Sequence, residues 1–83
     1  MPTTKLSLLS RPAFEERCAG LSGWQVSIAM LDLDHFAQIN DEYGHAAGDD
    51  VLRSLENVLT GSLPLDALVG RFGGDEYVVA LPE

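Results

Sequence analysis

The chain has 83 residues, 46% hydrophobic and 22% charged, which is the composition of one small globular domain. Its single cysteine excludes an internal disulfide, and no apolar run is long enough to span a membrane. The net charge of −8 excludes a basic nucleic-acid-binding face, and the start Met1-Pro2-Thr3-Thr4-Lys5 lacks the pattern of a secretory signal, so a cytoplasmic setting is expected.

Residues Arg11 to Leu21 read as a helix. Ser10 is a suitable N-cap, Pro12 is tolerated in the first turn, and Phe14, Cys18 and Leu21 share one face. Cys18 reads as a small packed thiol. Gly20 and Gly23 mark the exit, and Trp24 reads as a packing anchor. Residues Gln25 to Leu33 read as a strand. Val26, Ile28 and Met30 point one way, and Ala29, Leu31 and Leu33 the other, which predicts a central, buried strand.

Asp34 is expected to cap a second helix running to about Tyr43, with Phe36, Ile39 and Tyr43 at helical spacing, and His35 exposed. Gly44 to Gly48 reads as a turn. Asp49 or Asp50 then caps a third helix with Val51, Leu52, Leu55, Val58 and Leu59 on its apolar stripe, ended by Gly61 and Pro64. Two apolar runs, 67–72 and 77–81, flank Gly73-Gly74-Asp75-Glu76 and read as a hairpin with a two-residue Gly-Gly loop. The fold class is α+β, with helices on one face of a small sheet and the hairpin at its C-terminal end.

Asp32 sits at the end of the strand and Asp75 at the hairpin tip. Carboxylates and a strand-end carbonyl such as that of Leu33 are hard oxygen donors suited to Mg²⁺. An acidic pocket of this kind binds a polyphosphate only as its metal complex. Strand alternation should send Asp75 and Glu76 to opposite faces, which gives them different roles. Taken alone, Asp75 and Glu76 read as solvated turn acids and Asp34 as a helix cap, whereas Asp32, which follows Val26, Ile28 and Met30 on one strand face, calls for a partner or a metal; the case rests on their company. The run Gly44-His45-Ala46-Ala47-Gly48-Asp49 lacks the Lys-Ser/Thr of a P-loop. Asn40 and Asp49 carry an amide and a carboxylate able to read a purine edge, and His45 alone suits a turn hydrogen bond.

Four motifs, Leu31-Asp32-Leu33-Asp34-His35-Phe36, Ile39-Asn40-Asp41, Tyr43-Gly44-His45-Ala46-Ala47-Gly48-Asp49 and Arg71-Phe72-Gly73-Gly74-Asp75-Glu76-Tyr77, resemble in order and spacing the GGDEF domain of diguanylate cyclases. The resemblance runs from about residue 8 to 83 and implies a single truncated domain over 1–83, the N-terminal half of a nucleotidyl-cyclase-like palm. It further implies condensation of two GTP into cyclic di-GMP with release of pyrophosphate, between two such domains paired as a homodimer. By residue it implies Mg²⁺ or Mn²⁺, two ions per site, on Asp32, the Leu33 carbonyl and Asp75; catalysis by Asp75 and Glu76; and GTP recognition by Asn40, His45 and Asp49.

Departures from the family pattern are equally specific. Ala37 stands where a phosphate-contacting Lys is frequent, and the N-terminal family pattern is worn down to Thr3–Arg11. The Arg-x-x-Asp of the product-inhibition site would run from Pro64 to Ala67, and neither its Arg nor its Asp is in place, so no such site is expected. Tyr77 replaces the signature Phe, a mild change on an apolar ring. Family domains are about twice as long, so these residues alone are expected to be weak or inactive. The alternative is a degenerate GTP-binding regulatory or interaction domain without turnover. A haloacid-dehalogenase-type nucleophile loop at Asp32-Leu33-Asp34 fits poorly, because His35-Phe36 follows it.

Overall fold

The computed structural model of the protein describes residues 6–82. The expectations that fall on Met1, Pro2, Thr3, Thr4 and Lys5 lie outside the described residues, as does Glu83. In chain order the elements are β1 (Leu8–Ser10), α1 (Arg11–Ala19), β2 (Val26–Asp32), α2 (Phe36–Tyr43), α3 (His45–Ser62), β3 (Leu68–Arg71) and β4 (Glu76–Pro82). The strands form one mixed sheet in the order β1-β3-β4-β2; β1 is parallel to β3, and the other pairs are antiparallel.

Helix α1 starts where the sequence predicts: the Ser10 hydroxyl accepts from the Ala13 amide at 3.4 Å, and proline occupies the first turn. Its Phe14 is buried against Leu68, Val78 and Ala80, with Leu9, Cys18, Leu21, Val26 and Phe72 packed around them. Gly70 makes this approach possible, because a Cβ there would lie 2.9 Å from the Phe14 ring. Phe14 and Phe72 meet edge to face at 5.3 Å, and the Arg11 guanidinium lies 5.1 Å from the Phe72 centroid.

Side chains alternate along β4, so Tyr77 and Val79 leave the face opposite Val78 and Ala80. There the Tyr77 hydroxyl meets Glu56 of α3. Helices therefore lie on both faces of the sheet, and the expected one-sided layer is corrected. Buried β3 and β4 form the centre, with Val69 and Tyr77 fully enclosed.

Several local expectations change for identifiable reasons. The short strand β1, unanticipated, pairs with β3 beside the start of α1. The predicted central strand β2 is an edge: it pairs with β4 alone among the described strands, and Ile28 and Met30 are 57% and 74% exposed. Its two-faced apolar pattern reflects a strand whose second side is uncovered here. Trp24 is likewise exposed, so the expected packing anchor is not buried among the described residues.

Asp34 does not cap α2; His35 holds that position, at a left-handed φ of 61°, with no side-chain cap bond. The expected turn over Gly44–Gly48 reduces to Gly44 itself. Its φ of 89° separates α2 from α3, and His45 already begins the third helix. Asp49 and Asp50 consequently lie within α3 and cap nothing. Leu52 is buried and Leu55 and Leu59 half-buried, whereas Val51 and Val58 are exposed, which narrows the predicted stripe.

Candidate metal centre and nucleotide site

The hairpin between β3 and β4 brings the acids to the end of the sheet. It is not the predicted two-residue turn. The Phe72 amide donates to the Glu76 carbonyl at 2.8 Å, which leaves a three-residue loop, Gly73-Gly74-Asp75, and neither glycine adopts a left-handed φ. Arg71 braces this loop from within: its Nε donates to the Gly73 carbonyl at 3.1 Å and its Nη2 to the Gly74 carbonyl at 2.8 Å. A Cβ at Gly73 would lie 3.3 Å from the Glu76 side chain, whereas one at Gly74 would meet nothing.

Asp75 is thus the last loop residue and Glu76 the first strand residue, so strand alternation does not divide them as expected. In the β2–β4 register Asp32 stands opposite Glu76, and the Leu33 amide donates to the Asp75 carbonyl at 3.3 Å. The Asp32 and Asp75 carboxyls meet here, with Glu76 at the neighbouring paired position. The Asp75 charge, foremost, holds the Asp32 carboxyl above its ordinary value of 3.8, with burial, a hydrogen bond between the two carboxyls, and the Glu76 and Asp34 charges adding to the effect. Like charges in hydrogen-bond contact cannot both ionise freely without a cation or a shared proton.

Among the described residues, no three His, Cys, Asp or Glu side chains gather closely enough to hold a metal by themselves. The donor set at the tip still fits Mg²⁺. That ion is ordinarily held by one or two carboxylates, completed by water and substrate phosphates, rather than by an all-protein cage.

The expected purine-reading residues lie on α2 and α3. Asn40 is half-buried and packs on Gly48, where a Cβ would fall 1.9 Å from the Asn40 Oδ1. A side chain at position 48 would therefore have to displace the Asn40 amide. Asp49, the next residue, lines an open cavity of about 180 Å³ with Leu52, Arg53, Glu56 and Arg71. His45 opens α3, exposed, one turn before Asp49 and on the same side of the helix. Ala37 is exposed on α2 and offers no charge.

Sequence reasoning assigned no role to Arg71 and Glu56. Arg71 Nη1 lies 3.6 Å from Glu56 Oε2, and the same carboxylate accepts from Tyr77 at 2.5 Å. Arg71 thus connects the acidic loop to the cavity beside Asp49. An arginine two residues before a Gly-Gly pair, followed by a tyrosine able to share its carboxylate partner, was the available signal.

The family model described as "Diguanylate cyclase, GGDEF domain" matches residues 9–83. Diguanylate cyclase VdcA of Vibrio cholerae is 41% identical over 78 residues, covering 90% of this chain and 23% of its own. Diguanylate cyclase DgcP of Pseudomonas aeruginosa is 47% identical over 60 residues, covering 72% of this chain and 9% of its own. Among solved structures, a form of TpbB (YfiN) from Pseudomonas aeruginosa comprising only the GGDEF domain superposes with a TM-score of 0.81 at 40% identity, over 93% of this chain and 49% of that one. The GGDEF domain of DgcB from Caulobacter crescentus, solved in complex with c-di-GMP, gives a TM-score of 0.81 at 31% identity, over 99% and 53% of the two chains. The chain spans less than a quarter of the curated relatives and about half of these solved domains.

Proposed function

The chain belongs to the GGDEF domain family of diguanylate cyclases, and we propose that it supplies the metal-binding and guanine-binding half of a domain that makes cyclic di-GMP. Two GTP molecules, one on each of two facing domains, would react head to tail. Each 3′-hydroxyl attacks the α-phosphate of the other nucleotide, and each attack expels one pyrophosphate. The observation that carries this reading is the contact between Asp32 and Asp75, made by the β2–β4 register at the tip that Arg71 braces.

Asp32, Asp75 and the Leu33 carbonyl would hold Mg²⁺ or Mn²⁺, with Glu76 beside them able to serve a second ion. The bound cation supplies charge neutralisation at the phosphates and a lowered pKa for the attacking hydroxyl. The remaining work is positional. The Asn40 amide would donate to and accept from the guanine edge, and the Asp49 carboxylate would accept from its N1–H and amino group, with His45 at the rim. Arg71 keeps the Gly73 and Gly74 carbonyls turned inward and so fixes the direction of Asp75.

Among the described residues no helix is long and apolar enough to cross a membrane. The cytoplasm, where GTP is abundant, is the proposed setting. The exposed Ala37 and the chain's half-length span of solved GGDEF domains favour little or no turnover by these 83 residues alone. A GTP-binding regulatory role is the second reading, and the same two observations support it.

The test is a cyclic di-GMP assay with GTP and Mg²⁺. The chain alone should give little product, and the same residues within a domain of the relatives' length should give substantial product that is lost in Asp75→Asn. Absence of GTP binding by the longer form would remove the assignment.

A further inference from the structure

Arg71 ends β3 and stands opposite Tyr77 of β4 in the antiparallel register, so both side chains leave the same face of the sheet. That face meets α3. There a single carboxylate oxygen, Glu56 Oε2, accepts from the Tyr77 hydroxyl at 2.5 Å and lies 3.6 Å from Arg71 Nη1. The remaining arms of the guanidinium reach the Gly73 and Gly74 carbonyls. A guanidinium is planar and rigid, so fixing one nitrogen sets the direction of the others. The loop itself brings two glycines with no side chains to pack, and the Asp32 and Asp75 carboxyls that meet at its end repel one another whenever both are charged. Its shape therefore depends on bonds from outside, and Arg71 supplies two of them. The Arg71–Glu56 pair is also partly buried, unlike the exposed pair of Arg53 and Asp50, so solvent screens it less.

We infer that Glu56 is a positioning residue for the metal centre: held by Tyr77, it fixes the Arg71 guanidinium on the loop carbonyls and so sets the direction of Asp75. The inference rests on the reading of Asp32 and Asp75 as metal ligands. It also gives α3 a double task. Asp49, Leu52, Arg53 and Glu56 follow one another at i, i+3, i+4 and i+7 and line one cavity with Arg71. One face of one helix thus presents both the carboxylate proposed to read guanine and the carboxylate that steadies the metal loop.

The test uses the full chain and two readouts. Glu56→Gln keeps an oxygen for the Tyr77 hydroxyl and removes the charge facing Arg71, so the circular dichroism spectrum should not change. In metal-free protein, backbone order parameters at Gly73, Gly74 and Asp75 should fall from about 0.85 towards about 0.6, with Val78 and Ala80 unaffected. Mn²⁺ affinity at the tip should fall about tenfold, the lower end of the loss seen when outer partners of metal ligands are removed. Asp50→Asn removes an equal charge from the same helix without touching Arg71, and should leave both readouts as they were. In an Arg71→Lys background, Glu56→Gln should cost less than about a further twofold, because the two residues act as one unit. Loop order indifferent to Glu56→Gln overturns the inference. So does an affinity loss matched by Asp50→Asn, or one that adds fully to that of Arg71→Lys. A loop loosened by Glu56→Gln in a chain that binds no Mn²⁺ at the tip would uphold the brace and refute the metal centre instead.

Discussion

The Tyr77 hydroxyl donates a 2.5 Å hydrogen bond to Glu56 Oε2, joining the first residues of β4 to α3 across 21 positions of sequence. Burial, foremost, and this bond together raise the tyrosine's pKa above its ordinary 10.0. The residue that replaces the signature phenylalanine therefore does more than preserve an apolar ring. Tyr77→Phe leaves a partly buried carboxylate with Arg71 alone. It should cost about 1–2 kcal/mol of stability, the range for a hydrogen bond to a charged group. Urea denaturation measures this, and an unchanged midpoint would show the bond to be worthless.

Gly48→Ala should separate folding from ligand recognition. Its Cβ would displace the Asn40 amide, which is the end of a movable side chain, so stability should change by less than about 1–2 kcal/mol. If Asn40 reads guanine as proposed, GTP binding should fall at least tenfold. Calorimetric titration of the longer, GTP-competent form checks both halves. Loss of binding without loss of fold is the expected pattern.

Arg71→Lys retains the charge but not the fork that spans two carbonyls. The loop should loosen while the sheet stays intact. Hydrogen exchange should speed up at Gly73, Gly74 and Asp75 and hold steady at Val78 and Ala80. Metal affinity should drop with it, because Asp75 loses its fixed direction. Equal protection in both proteins would contradict the bracing role.

Cys18 packs beside Phe14, and burial pushes its thiol above the ordinary value of 9.0. The folded chain keeps this proton at pH values where the unfolded chain has begun to lose it. The associated stability is complete below the unfolded pKa and declines as pH rises through the folded one. Only the thiolate is nucleophilic. Iodoacetamide at pH 8 should accordingly modify Cys18 more slowly in the folded protein than in urea, and Cys18→Ser should flatten the alkaline decline.

Where local chemistry decides the structure, the sequence is a faithful guide. Ser10 caps α1, Phe14 and Cys18 face the core, and the apolar runs flanking Gly73-Gly74 form the hairpin. It misleads where tertiary context decides. Apolar residues on both faces of β2 imply a central strand, whereas among the described strands it pairs with β4 alone. Asp34 and Asp49 look like caps, but His35 and Gly44 take the unusual backbone angles and set the helix starts themselves. The Gly-Gly pair suggests a two-residue turn, and only the Arg71 bonds reveal why a wider loop is stable. The acids of the candidate metal site were legible as a group, but their division between strand and loop required the register.

The most direct measurement of the central claim is nuclear magnetic relaxation of the chain titrated with Mn²⁺, which detects even weak sites by selective line broadening. The account predicts broadening first around Asp32, Leu33 and Asp75, abolished by Asp75→Asn in a chain that remains folded. Broadening centred on other acids such as Asp50 or Asp66, or broadening at the tip that survives Asp75→Asn, would contradict it.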